Sequence, residues 1–252
     1  MHNFCFDIDK PSPLVYISDV TKFQQRNQKM VKIVSPSFEV ITPLDGDYIL
    51  KHLERCARNC YKSEDKITSD SAQKMIKKLI DLGHEAMIEH FSITVKMTTD
   101  VGAYKDLTRH RHASFAIEST RFCNYSKGKY GNELTFMKPS NIEEGSELYN
   151  IWLQAMTDAE KHYLDMAARG ATVDQLRMLL PHSTKADVFM TANLREWRHI
   201  FKLRCAPATH PSIQHIMKMI LNEFRAHIPV LFDDIPYGWE EEKESSLNMA
   251  AE

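Results

Sequence analysis

Between Ala72 and Met97 the apolar residues change their period, and that change limits the possible folds more than any other feature of the chain. Ala72, Met75, Ile76, Leu79 and Ile80 recur at three- and four-residue spacing, which puts them on one face of a helix. Gly83 follows, where a left-handed residue can end such a helix without a Cβ penalty. Ile93, Val95 and Met97 then alternate with Thr94, Lys96 and Thr98, the pattern of a strand with one face buried. A chain that does both packs helices against a sheet.

The remaining periodicities extend this picture. Val31, Ile33 and Val34 suggest a first strand. Asp47 can cap a helix whose stripe is Leu50, Leu53, Ala57 and Cys60. A short helix is expected over about 102–108. A long one over 146–169 carries Leu148, Ile151, Trp152, Ala155, Ala159 and Tyr163 on one side, with Gly170 after it. Leu176, Leu179 and Leu180 lead to Pro181. Leu194, Trp197 and Phe201 mark another amphipathic stretch. Pro211 suits the first turn of a last helix, with Ile213, Ile216, Met217, Ile220 and Phe224 inside. The order is not a regular β-α alternation. It predicts an α+β fold, a single compact domain with a mixed or antiparallel sheet flanked by long helices. Residues 31–234 are expected to form that domain, after an N-terminal extension over 1–30 and before a polar tail over 235–252.

Charge removes several function classes. The formal net charge is −2, so no global field draws the chain to nucleic acid or a membrane surface, and any anion must be bound locally. No apolar run approaches the ~20 residues of a membrane span, and the N-terminus carries no signal-peptide pattern. The five cysteines, Cys5, Cys56, Cys60, Cys123 and Cys205, are odd in number and lack C-x-x-C spacing. A reducing, cytoplasmic compartment and no metal site are therefore expected.

Local anion binding has an obvious candidate. Arg109, Arg111 and Arg121, with His110 and His112, fall within thirteen residues against one carboxylate, Glu118. Guanidiniums this close repel one another unless an anion neutralises them, and their planar forks fit phosphate. A solvated basic turn would have the same composition. Ser119 lacks the G-x-S-x-G elbow of a serine nucleophile. With eight glycines and no G-x-G-x-x-G, a dinucleotide could not be held in the Rossmann manner.

Arg109-His110-Arg111, seven residues and then Ser119 resembles the signature of flavin-dependent thymidylate synthases. Arg121-Phe122, Glu89-His90-Phe91-Ser92, Leu176-Arg177-Met178-Leu179-Leu180-Pro181, Asn193-Leu194-Arg195 and Leu203-Arg204 fall in that family's order. The resemblance covers roughly residues 31–232. It implies that Arg109, His110 and Arg111 hold FAD, with Ser92, Asn193, Leu194, Arg195 and His199 helping. It puts Asp106, Arg109, Glu118, Ser119, Arg121, Arg177, Lys185 and Arg204 at dUMP. Arg204 and Ser119 are the expected catalytic residues, Arg204 activating the uracil ring. Also implied are 5,10-methylenetetrahydrofolate as carbon donor, NADPH as reductant, no attacking cysteine, and a homotetramer with shared sites. Three positions depart from the common pattern: Asp106 stands where Gln is frequent, Ala116 where Asn is, and Ile117 where Glu is. Two alternatives remain. One is related flavin chemistry on UMP or a phage base precursor. The other is a non-enzymatic nucleotide- or RNA-binding protein.

Overall fold

The structure is a computed structural model that describes residues 31–237. The expected 1–30 extension, and the tail beyond 237, lie outside the described residues. The larger sheet has four strands in the order β2-β3-β6-β4: β2 is Ser37–Val40, β3 Ser92–Asp100, β4 Ala113–Ile117 and β6 Lys185–Asn193. Every neighbouring pair in it is antiparallel. A second sheet joins β1 (Lys32–Val34) to β5 (Thr135–Met137) in parallel. The architecture is α+β, as the periodicities predict.

β3 behaves as its alternation requires. Ile93, Val95 and Met97 are fully buried. β6 alternates too, burying Ala186, Val188, Met190 and Ala192. It was not anticipated, because two of its inward residues are small and Phe189 stands on the open face. Neither were β2, β4 and β5, which are short.

Helices cover the buried face. α1 (Gly46–Asn59) is capped by Asp45, whose carboxylate accepts from the Tyr48 N–H at 3.0 Å. The expected cap, Asp47, instead lies in the first turn, where it neighbours the positive helix end and pairs with Lys51. α1 buries Ile49, Leu53 and Ala57. Leu53 and Ala57 are buried as expected, but Leu50 is half-buried and Cys60 exposed, so the stripe starts at Ile49 and ends at Ala57. α2 (Ser71–Asp81) buries Ala72, Ile76 and Leu79 and is followed by Gly83 at φ 71°. α3 (Val101–Leu107) returns the chain from the far end of β3 to the start of β4.

α4 (Glu147–Ala168) begins at Ser146 and buries Tyr149, Met156 and Tyr163. Leu148 and Ile151, expected on the buried side, are 67% and 61% exposed. The seven-residue repeat Tyr149–Met156–Tyr163 wins that face, and the Trp152 indole N–H donates to Ser183 Oγ at 3.1 Å. α5 (Val173–Leu176), α6 (Leu194–Arg204), α7 (Pro211–His227) and α8 (Pro229–Phe232) complete the domain. Trp197 and Phe201 of α6 meet Phe224 of α7 and Phe232 of α8, with neighbouring ring centroids 5.3–5.7 Å apart.

One buried cation crosses this core. Arg198 of α6 is 1% exposed. It donates to Asp234 through both Nη atoms at 2.7 and 2.6 Å, to Glu85 Oε1 at 3.1 Å, and to the Leu231 carbonyl. The two carboxylates outweigh its desolvation and push its pKa up. Arg198→Ala leaves both acids without this partner and is expected to cost about 3 kcal/mol in a urea titration. That is the low end for a broken buried pair, because Asp234 keeps some solvent.

Candidate active site

Sheet register decides which of the expected site residues can meet. Ser92 opposes Asn193 across β3 and β6, and Ala113 opposes Ala192 across β4 and β6. Ser92, the Arg109–His112 segment entering β4 and the start of α6 therefore share one end of the sheet. Asn193 caps α6, its side chain accepting from the Glu196 N–H at 2.9 Å. A cavity of about 600 Å³ opens here, its wall including Glu89, His112, Asn193, Arg195, His199 and Lys202. Arg195 donates to Glu89 at 2.6 Å. Leu194 is fully buried in the core, so any ligand contact from this residue has to come from its backbone.

The arginines at this end divide into two kinds. Arg109 and Arg111 are exposed and carry no side-chain hydrogen bond or ion pair among the described residues. Such guanidiniums are available to an anion. Arg204 is half-buried and held: its Nε donates to His110 Nε2 at 2.9 Å, and its Nη2 to the Asp106 carbonyl at 2.9 Å. Asp106 thus enters the site through its backbone. His110 is 5% exposed. Burial, then the Arg204 charge, then His199 hold its pKa down to about 4, so the ring is neutral at neutral pH.

The other expected residues sit at the opposite end. Lys185 begins β6 and Asn193 ends it, eight residue steps or about 27 Å apart. Lys185 donates to Glu118 Oε2 at 2.9 Å and Asp187 Oδ2 at 2.6 Å. The Tyr125 hydroxyl donates to Glu118 Oε1 at 2.8 Å, and Thr98 donates to Asp187 Oδ1 at 2.7 Å. Desolvation opposes the Lys185 charge, but the two carboxylates outweigh it and raise its pKa. Burial first, then Glu118, keeps Tyr125 protonated as the donor. This network ties the turn after β4 to β6. In that turn Ser119 Oγ accepts from the Arg121 N–H at 3.3 Å. Arg121 Nε lies 3.5 Å from Asp174 of α5, which brings Arg177, the exposed C-cap of α5, to the same end.

One chain therefore gathers Ser92, Arg109–Arg111, Asn193–Arg195 and His199 at one end, with Arg204 joined to them through His110, while Asp106 lines a second cavity with Asp100 and His182. The chain gathers Glu118, Ser119, Arg121, Arg177 and Lys185 at the other end. Reading the sequence missed Glu85, Glu196 and Lys202 of the cavity wall, and Tyr125 and Asp187 of the network. Only Glu89 had a signal, as the first residue of Glu89-His90-Phe91-Ser92.

Comparison with known proteins bears on the family and the fold. The family model described as "Thymidylate synthase complementing protein" matches residues 48–230. The flavin-dependent thymidylate synthase of Pyrococcus abyssi is 30% identical over 164 residues, covering 64% of this chain and 66% of that protein. The Pyrococcus furiosus protein of the same name is 29% identical with the same coverage. The chain thus spans just under two thirds of the length of these relatives. A probable flavin-dependent thymidylate synthase of Mycobacterium phage L5 is 28% identical over 210 residues, covering 77% of this chain and 84% of that protein. Among solved structures, the UMP/dUMP methylase PolB from Streptomyces cacaoi, bound with 5-Br dUMP, has the same fold. Its TM-score is 0.65 at 20% identity, covering 81% of this chain and 96% of that one.

Proposed function

Since the chain belongs to the family of thymidylate synthase complementing proteins, we propose that it converts dUMP to dTMP, with FAD as cofactor, 5,10-methylenetetrahydrofolate as carbon donor and NADPH as reductant. The observation that carries this reading is the pairing of free and held arginines at one end of the sheet. Arg109 and Arg111 are unengaged in the segment whose His112 lines a cavity of about 600 Å³, a size suited to a cofactor. Arg204 beside them is fixed by two bonds.

The donor set fits FAD. Arg109 and Arg111 would neutralise its diphosphate in place of a glycine loop. Asn193, Arg195 and His199 offer hydrogen bonds around the same cavity, and Ser92 lies opposite Asn193 across the sheet. Bound there, a reduced flavin supplies the hydride that no side chain can. Arg204 keeps further N–H groups free to meet the uracil edge, where they stabilise negative charge developing at N3 and the adjacent oxygen. Ser119, Arg121 and Arg177 bind and orient the nucleotide. Glu118 and Lys185 act by bracing the Ser119 turn from β6. No cysteine is assigned to attack the ring: Cys205 is fully buried, and burial pushes its thiol up to about 12.

The separation of the two residue sets supports a homotetramer with sites shared between subunits, and the exposed Leu148 and Ile151 of α4 offer apolar surface for such contacts. We assign catalysis to residues 31–234, with 1–30 and 235–252 outside it, and place the protein in the cytoplasm. Among the described residues no helix is long and apolar enough to cross a membrane.

A spectral titration tests the reading. Added FAD is expected to give the perturbed spectrum of a bound flavin, and NADPH to bleach it. Arg109→Ala should weaken FAD binding by roughly tenfold or more, as expected for one lost charge-assisted contact. Turnover is then measured with dUMP and, because the fold neighbour is a UMP/dUMP methylase, with UMP. A protein that leaves the FAD spectrum unchanged would refute the assignment.

A further inference from the structure

Glu196 lies outside every expected motif, yet its carboxylate is buried beside the residue that holds Arg204. It is 8% exposed, and its Oε1 lies 3.5 Å from His110 Nδ1. On the other edge of that ring, Nε2 receives the Arg204 Nε–H at 2.9 Å. His199 packs edge-to-face on His110, with centroids 6.0 Å apart.

The protonation of His110 follows from donor chemistry. A guanidinium only donates, so Nε2 must present its lone pair. A neutral imidazole carries one proton, which must then sit on Nδ1. In water a neutral histidine prefers its proton on Nε2, so the site has to reverse that preference. The group that faces Nδ1 is the Glu196 carboxylate.

Another reading of the same trio is a cation site. Ligand atoms of His110, Glu196 and His199 lie within 4.8 Å of one another. A metal at Nδ1 would take the lone pair there and leave the remaining proton on Nε2. Two N–H groups, from His110 and Arg204, would then point at each other. The observed Arg204 bond and a metal on His110 Nδ1 exclude one another.

We propose that Glu196 is a positioning residue: its carboxylate fixes the Nδ1–H tautomer of His110, and His110 Nε2 in turn holds the Arg204 guanidinium in place. The tautomer claim stands on this geometry alone; its effect on turnover rests on the function proposed above. Glu196 also sits in the first turn of α6, where any acid favours the positive helix end. The test must therefore separate orientation from helix stability.

The experiment is ¹⁵N–¹H long-range NMR on histidine-labelled, ligand-free protein at neutral pH, with His110 assigned by its loss in His110→Gln. The expected result is a protonated Nδ1 and an unprotonated Nε2. Glu196→Leu should move the proton toward Nε2. It should also lower kcat for dTMP formation by roughly tenfold or more, with KM for dUMP within about threefold, the pattern of lost orientation. Glu196→Gln keeps the shape and an acceptor oxygen, and should recover part of both. Wild-type protein with its His110 proton on Nε2 overturns the proposal, even if Glu196→Leu fails to fold. So does a folded Glu196→Leu that retains the wild-type tautomer and turnover. Zinc binding that shifts the His110 and His199 resonances at micromolar concentration would establish the cation site instead. If wild-type protein makes no dTMP, the enzymatic reading falls, while the tautomer measurement still decides the role of Glu196.

Discussion

Alanine in place of Arg204 is expected to lower kcat for dTMP formation by about 10²–10³-fold, while KM for dUMP changes by roughly threefold or less. The reason is where the guanidinium is held. One N–H binds His110 and another the Asp106 carbonyl, so its position is set before any nucleotide arrives. A charge fixed in advance stabilises what develops in the transition state more than what exists in the ground state. Carbon 5 of uracil is a poor nucleophile until negative charge is tolerated at N3 and the neighbouring oxygen, and that is the charge Arg204 would meet. Arg204→Lys should recover little, because an ammonium cannot keep both existing bonds and still reach the ring in a plane. Steady-state kinetics with dUMP as the varied substrate separates the outcomes. A raised KM with unchanged kcat would make Arg204 an anchor for bound nucleotide and remove its catalytic role.

The second large effect is a recovery of activity. Arg204→Ala and Arg177→Ala proteins, each nearly inactive alone, are expected to regain activity when their subunits are exchanged. Arg204 lies with His110 at one end of the sheet, and Arg177 follows α5 at the end where Arg121 meets Asp174. The two ends of β6 itself are about 27 Å apart, so a nucleotide bound at the far end in one chain is expected to draw on the other end from a neighbouring subunit. A site that uses both arginines then takes them from different subunits. Random mixing leaves roughly a quarter of such sites with neither substitution, as closed symmetry requires. Arg204→Ala mixed with Arg109→Ala gives a contrast. These two residues share an end, so no site is repaired. Mixed oligomers that form without any recovery in the first pair would show that the site lies within one chain, and light scattering on the same samples reports the oligomer itself.

Much of this was legible in the sequence because period and punctuation agreed. α2, β3, α3 and α7 follow from their apolar spacing, with Gly83 and Pro211 marking a stop and a start. α4 was legible in extent but not in rotation. Leu148 and Ile151 compete with Tyr149 and Met156 for the same turns, and hydrophobicity alone does not say which face a tyrosine-rich core selects. β6 was hidden because alanines fill two inward positions, although it is one of the two inner strands of the sheet. In the candidate site, the arginine-histidine segment was conspicuous from its charge. The residues that orient it were not. Glu196 looks like an ordinary first-turn acid, and Tyr125 and Asp187 like surface polar residues, until long-range pairing brings them to Glu118, Lys185 and His110. Nor does spacing reveal that Glu118 and Arg204 lie at opposite ends. Only the β3-α3-β4 crossover around β6 does that.

The strand β6 works as a ruler. It carries Lys185 at one mark and Asn193 at the other, and no loop intervenes to absorb error. Surface loops elsewhere in the chain can lengthen or shorten while the distance between the two ends stays the same. A single residue inserted in or deleted from β6 has no such freedom. Side chains on one part of the strand would change face relative to the other, and that part would lose its register with β3 and β4. Insertions and deletions are therefore expected to be tolerated in the turns that flank these nine residues and not within them.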